Sequence, residues 1–497
     1  LSSQWPNDIR FVCRPVPITC NFDVDSKIIV NIPQRSAKKW SGSSFVRELL
    51  DEFGIVHTSY KLMDNIVADY SWEEKSNARY LKEGSALYND LLFDRATKFF
   101  VTVNNVIPDH SVEILSPGEA IAKIPKDTHP GSPFETRFST KKAAIVFHSV
   151  LLLSSLSLLW MGDLVARSAR KVEMRKIQHF VDQKVRTVFM MCILAIANGI
   201  RLFHNLMERM KDTYRHTPYW IGRSRYYGGT DELRRCLRKY GMSCDASGMD
   251  GSLLRFLFEF LYKWKLSKLK AVLGLAAKVF WYMVQILSSL LIDSSGRVHL
   301  KSKGNVSGQF CTSSDNSKIM ELAMYYTLLW NGIPEERINT DHPDAFVFKN
   351  GGDDVILTHN SIAALLALDV VTPMAELGIT FRVEHAPDVV ENCPFLGDVM
   401  LYLPECAMYV PVPKDMDKMY CAWAEHVKTE TPLMNYIRTW NFYVMCYWDV
   451  KFRNIAAEAL NRLRPNQQHV HDRNRVRLNE VLKIGDQVIR ADVQLKV

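Results

Sequence analysis

Residues 345–358 read AFVFKNGGDDVILT. Two short β-prone runs, 345–348 and 355–358, flank Lys-Asn-Gly-Gly-Asp-Asp, and this pattern predicts a β-hairpin with Asp353 and Asp354 at its tip. Taken alone, Asn-Gly-Gly-Asp-Asp suits any solvent-facing turn. Two adjacent carboxylates repel each other, however, and such a pair is best tolerated with a cation near it. Mg²⁺ is a hard ion that takes oxygen ligands, usually one or two carboxylates together with substrate phosphates.

A second acidic pair lies about a hundred residues upstream. In CDASGMDGS, Asp245 closes a strand-like segment and Asp250 sits just past the bend, before a helix starting near Leu253. Asp is also a common helix N-cap, so Asp-x4-Asp alone decides nothing. Between the two clusters stands VSGQFCTSSDNSKIM at 306–320. Ser307 and Gly308 suit a flexible entry into a helix. Thr312 and Asn316, four apart, share one helix face. A helix start with free N–H groups suits phosphate or ribose contact, and it equally suits plain capping.

Outward from these segments the chain is ordinary for a globular protein: 497 residues, 47% hydrophobic and 23% charged. Its length allows two to four subdomains. Lys plus Arg exceed Asp plus Glu by 62 − 54 = 8, which is compatible with a polyanionic partner without requiring one. The 10 cysteines form no CxxC pair, so neither a structural zinc site nor a disulfide framework is expected. No signal-peptide pattern is present at the start. The runs 28–32 and 99–107 read as strand-like, 116–140 as an extended loop, and 143–215 as helical. A long helix is expected near 253–292, another after 312, and the last ~95 residues are expected to be mostly helical. Residues 143–161 carry no Asp, Glu, Lys or Arg; they are expected to form a buried helix, with membrane contact as the other reading.

The ordered set Asp-x4-Asp, Ser-Gly-x3-Thr-x3-Asn, Gly-Asp-Asp resembles motifs A, B and C of the palm of RNA-dependent RNA polymerases from positive-strand RNA viruses. SGQFCTSSDNSKI is most similar to motif B of the sobemovirus and polerovirus polymerases. THPGSPF at 128–134 resembles motif G, which places Pro130, Gly131 and Ser132 along the template. KVRTVFM at 184–190, after Arg175 and Lys176, resembles motif F; Lys184 and Arg186 would hold the triphosphate, and Arg175 and Lys176 the RNA. PFLG at 394–397 resembles motif E. LGITFRVEH at 377–385 stands where motif D belongs but has no lysine, which leaves Arg382 or His385 as proton donor.

The resemblance implies an α+β, right-hand polymerase fold: fingers over 1–239, palm over 240–404 with a fingers insertion near 265–300, and thumb over 405–497. It implies two Mg²⁺ (or Mn²⁺) ions on Asp245 and Asp353, with Asp354 a less direct ligand. Asp250 and Asn316 would pair to sense the ribose 2′-hydroxyl, with Ser307, Gly308 and Thr312 beside the nucleotide. RNA template and product, NTPs and other viral replication proteins would be the partners, in replication complexes of the host cytoplasm. C-terminal arginines (Arg462, Arg464, Arg473, Arg475, Arg477) and aromatics such as Trp423 are candidates to line an RNA channel, or else are surface charge and helix core. A reverse transcriptase usually carries a bulky ring in place of Asp250, so that alternative is disfavoured. A non-catalytic RNA-binding protein would have no need to crowd carboxylates.

Overall fold

The computed structural model describes residues 42–463, apart from 63–70, 82–83, 127, 132–133, 135–137, 163, 172, 178–185, 294–297, 405–406 and 426–430. The run 28–32, Ser132, Lys184 and Arg464, Arg473, Arg475 and Arg477 lie outside the described residues. The strands are β1 (Tyr60–Leu62), β2 (Val165–Arg170), β3 (Met174–Lys176), β4 (Thr187–Met191), β5 (Tyr240–Ala246), β6 (Leu290–Ile292), β7 (Val298–Leu300), β8 (Val347–Gly351), β9 (Asp354–His359), β10 (Phe381–Val389), β11 (Asp398–Leu403) and β12 (Met408–Pro413).

The central sheet has the order β10-β5-β9-β8, antiparallel throughout. Successive side chains in a strand alternate between faces. Met242, Cys244 and Ala246 of β5 and Val355 and Leu357 of β9 are buried in the main core. Asp245 and Asp354, one residue out of phase, therefore point to the other face. Farther along that face Ile356 is buried in a second cluster with Trp220, Val390 and Phe395. The helix Thr312–Trp330 runs through the main core with residues 314–329 all buried. A helix enclosed on all sides needs partners for its polar residues. Lys318 donates to Asn104 Oδ1 at 2.5 Å and pairs with Glu321 at 2.7 Å, and Asn104 Nδ2 donates to Glu321 Oε1 at 2.7 Å.

Four expectations change. Residues 99–107 are not a strand: Asn89 caps a helix, Asp90–Val103, which packs Ala96 and Phe100 inward at helical spacing against the enclosed helix. Tertiary packing here overrides β propensity. The stretch 116–140 is not all loop, since Ser116 and Glu119 form a capping box that starts the helix Pro117–Ala122. Among the described residues of 143–215 only 193–211 is a long helix, and β2, β3 and β4 precede it. The four-stranded sheet β4-β2-β6-β7 buries Ala166, Ser168, Phe189 and Met191 through two-residue alternation, a periodicity that an apolar tally hides. The helix expected near 253–292 is two, Arg255–Lys268 and Leu275–Leu287, parted by a left-handed Gly274.

Residues 143–161 correct the buried-helix expectation in part. They form Lys141–Phe147 and Ser149–Ser155, broken at His148. Ala144, Leu152 and Leu156 are buried, while Phe147, Val150 and Leu159 are 71–80% exposed. Among the described residues no helix is long and apolar enough to cross a membrane.

The C-terminal helices Met416–Glu425, Pro432–Met445 and Val450–Leu463 form a separate core around Trp423 and Phe452, joined by Val46, Leu49 and Leu50 of the helix Ser44–Glu52. Trp423 is fully buried there, and Arg462 pairs with Glu52 and Glu458, so both serve packing and helix contacts. Tyr60 of β1 donates to Asp415, which ties the antiparallel β1-β3 pair to this C-terminal unit.

Leu152→Ala should cost about 2–5 kcal/mol in chemical denaturation, whereas Leu153→Ser, at a 47% exposed site, should change stability by less than about 0.5 kcal/mol. Equal losses would contradict the assigned faces.

Candidate active site

The register brings the sequence-separated carboxylates together. Asp245 of β5 stands directly opposite Asp354 of β9 and, on its other side, opposite Arg382 of β10. The three side chains thus project from one face in one row. Asp353 lies in the turn between β8 and β9, and its carbonyl accepts from the Ala246 amide at 3.3 Å. The turn depends on Gly352, whose φ of +75° is left-handed. Ser317 of the enclosed helix fixes that turn: its hydroxyl accepts from Gly352 N at 2.8 Å and its carbonyl from Asn350 Nδ2 at 2.5 Å.

The electrostatics follow from this crowding. Burial raises the Asp245 carboxyl above its ordinary value, the Asp353 charge adds to it, and Arg382 opposes it with an ion pair of 2.7 Å. Asp353 is likewise raised, mainly by burial. Asp354 is pushed up to about 7 by burial and by the charges of Asp353 and Asp245. The donors here are carboxylate oxygens, and among the described residues no three acidic, His or Cys side chains are gathered closely enough to hold a metal ion by themselves. Carboxylate oxygens suit Mg²⁺, which usually takes one or two of them and completes its shell with water and substrate phosphates.

Beside the carboxylates, Asn316 Nδ2 donates to Asp250 Oδ1 at 2.7 Å. Ser307 is engaged elsewhere, accepting from Phe189 N of β4 at 2.9 Å. Gly308 allows the close approach of that strand, because a Cβ there would sit 1.9 Å from Phe189 O. Thr312 Oγ1 closes the 306–309 turn, donating toward Val306 O at 2.8 Å with the carbonyls of Ser307 and Gln309 at 3.1 and 3.0 Å. Gly131, at φ +77°, leaves no room for a Cβ against Met191 O, and Pro130 beside it is buried.

The basic residues form a second group. Lys171, Arg175 and Arg186 surround Glu173, with Lys171 at 3.2 Å and Arg186 at 3.8 Å. Burial alone would raise the Glu173 carboxyl, but the three cations hold it below its usual value. An open cavity of about 380 Å³ is lined by Arg175, Lys176, Arg186, Arg225, Lys414 and Lys418 among others. His385 faces Asp388 at 3.9 Å, so of the two motif D candidates only Arg382 is hydrogen-bonded to the carboxylate row.

The family model for viral RNA-dependent RNA polymerase matches residues 76–402. The chain belongs to this family. It is 28% identical over 253 residues to the genome polyprotein of Soybean mosaic virus (strain N), covering 48% of this chain and 8% of the polyprotein. It is 25% identical over 338 residues to that of Beet mosaic virus, covering 61% of this chain and 10% of the polyprotein. The chain therefore spans a small part of these curated relatives. The Sicinivirus 3Dpol RNA dependent RNA polymerase superposes with a TM-score of 0.69 at 13% identity, covering 87% of this chain and 93% of that one. The right-hand polymerase fold follows from that superposition.

Several residues of this polymerase fold escaped sequence reading. Ser317, Asn305 and Gln309 lie within or beside the same segment as Asn316, and the available signal was a dense polar run opening a helix that is otherwise apolar. Glu384 and Lys414, paired at 3.0 Å, add charge near Asp354 and had no signal beyond composition.

Because the folded protein binds the Asp354 proton more tightly than the unfolded chain does, its stability falls as pH rises from about 4 to 7. In metal-free protein, Asp354→Asn should therefore raise stability at pH 8 by about 1–3 kcal/mol and leave it nearly unchanged at pH 4. Denaturant melts at the two pH values check this; a loss of stability at pH 8 would contradict it.

Proposed function

We propose that the chain copies RNA from an RNA template, joining ribonucleoside triphosphates by nucleotidyl transfer at the Asp245–Asp353–Asp354 site. The observation that supports this most is the placement of Asp245 opposite Asp354, beside the Asp250–Asn316 pair. Polymerases of this family generally use divalent metal ions. Two such ions, Mg²⁺ or Mn²⁺, would be held by Asp245 and Asp353, with Asp354 as a less direct ligand, and would supply activation of the primer 3′-hydroxyl and charge neutralisation on the leaving phosphates.

The chain's own residues position and neutralise. Arg186 and Lys184 receive the triphosphate, with Arg186 near enough to Asp353 to lower its pKa against the net upward shift. Pro130, Gly131, Ser132, Arg175 and Lys176 follow the RNA. Asp250 and Asn316 read the 2′-hydroxyl, and Ser307, Gly308 and Thr312 shape the turn that carries Asn316. Arg382 acts as a fixed counter-charge to Asp245, and His385 is the other candidate for the proton donor. Residues 1–239 serve as fingers, 240–404 as palm and 405–497 as thumb, with the helix Ser44–Glu52 packed against the thumb. The protein would work with other viral replication proteins in the host cytoplasm. The likeness of SGQFCTSSDNSKI to sobemovirus and polerovirus motif B is kept as part of this proposal.

Asp353→Ala should abolish Mg²⁺- or Mn²⁺-dependent extension of an RNA primer while circular dichroism and melting stay near wild type. Retained extension in that variant would overturn the proposal.

A further inference from the structure

An amide side chain can face either way, and its neighbours decide which. At the Asp250–Asn316 pair the neighbours form a buried chain whose direction is set far from the ribose position. Gln309 is the fixed point. Its Oε1 accepts from the Cys311 backbone N–H at 2.8 Å, a group that can only donate. Its Nε2 donates to the carboxylate of Asp315 at 2.9 Å and to Asn305 Oδ1 at 3.0 Å. Asp315 is itself anchored: it is fully buried, pairs with fully buried Lys265, and accepts from Tyr262 at 3.0 Å. Gln309 thus has no alternative orientation.

The direction then passes outward. With Oδ1 facing Gln309, Asn305 must present Nδ2 to Asn316 Oδ1, at 2.9 Å, and to the Thr312 carbonyl, at 3.4 Å. Asn316 in turn must present Nδ2 to Asp250, at 2.7 Å. Asn305 is 0% and Gln309 5% exposed, so water does not compete for these contacts. Among the described residues the outcome is a carboxylate with its Oδ1 bound and Oδ2 left to accept, beside an amide with one proton left to donate. A ribose 2′-hydroxyl donates and accepts at once, and matches that pair.

We infer that Asn305 and Gln309 are positioning residues for sugar selection, because they fix which end of the Asn316 amide meets Asp250. The inference rests on the proposed role of Asp250 and Asn316 in reading the 2′-hydroxyl. Reversing the chain would turn the Asn316 carbonyl oxygen against the Asp250 carboxylate, two acceptors face to face.

The test is the ratio of kcat/KM for an NTP to that for its 2′-deoxy analogue, measured with an RNA primer–template. Asn305→Asp keeps size and shape but removes the donor toward Asn316. It should lower the ratio by about tenfold or more, the scale of a lost hydrogen bond to a charged group. Asn305→Ala, which adds no charge, should lower it in the same direction and serves if the Asp variant does not fold. In Asn305→Asp combined with Asp250→Asn, the chain can run backwards and still place a donor opposite an acceptor at each link, so the ratio should recover by several-fold over the single variant. A purely structural role would lower the rates with both sugars alike. A wild-type ratio in folded Asn305→Asp or Asn305→Ala overturns the inference. Should Asn316→Ala collapse the ratio while the Asn305 variants keep it, the positioning claim alone fails; should Asn316→Ala also keep it, the ribose reading and this inference fail together.

Discussion

Like charges held close together in a partly dry site are the constraint on which this molecule is built. Asp245 and Asp354 face each other across an antiparallel register, with Asp353 in the adjoining turn, and burial raises all three carboxyls. Left to themselves they would separate or take up protons. The sheet register prevents the first, because sliding β5 by one residue would carry Asp245 into the apolar core with Met242 and Cys244. Arg382 relieves part of the repulsion in the protein as it stands.

The enclosed helix Thr312–Trp330 explains how so polar a site is kept rigid. One end supplies Asn316 to the Asp250 pair and Ser317 to the hairpin turn, while the buried pairs Lys265–Asp315 and Lys318–Glu321 fix the helix among its neighbours. Buried ion pairs of this kind add little net stability, but breaking one leaves an uncompensated charge and costs several kcal/mol, about 3–5. Lone ammonium groups serve similarly. Lys349 donates to the carbonyls of Tyr214 and Thr217 behind the hairpin, and Lys301 to those of Lys303 and Gly304 beneath the Asp250 loop. Burial pushes Lys349 down to about 8 and Lys301 down to about 7.

What was legible in the sequence was chemistry carried by local pattern. AFVFKNGGDDVILT declared its own hairpin, since β-prone runs and a glycine turn are short-range signals. The Asp250–Asn316 pair came from resemblance, and the structure places the two in hydrogen-bond contact. What was not legible depended on partners distant in sequence. Phe99 and Phe100 look like strand residues until Tyr325 and Trp264 stand against them. Strand β2 pairs with β4 and β6, and β3 with β1, partners that no local pattern announces. Arg382 stands beside His385 as a candidate proton donor in the sequence, and its contact with Asp245 appears only once β10 is laid beside β5. The apolar run 143–161 was long enough to suggest one helix, yet His148 divides it and leaves one face outward.

The activity proposed for this site is template-directed synthesis. The most direct measurement is to give the purified wild-type protein an RNA template of defined sequence, the four NTPs and Mg²⁺, and to sequence the product. A product complementary to the template is the predicted result. RNA whose sequence is independent of the template, or DNA made in preference when deoxyribonucleotides are also supplied, would contradict the account.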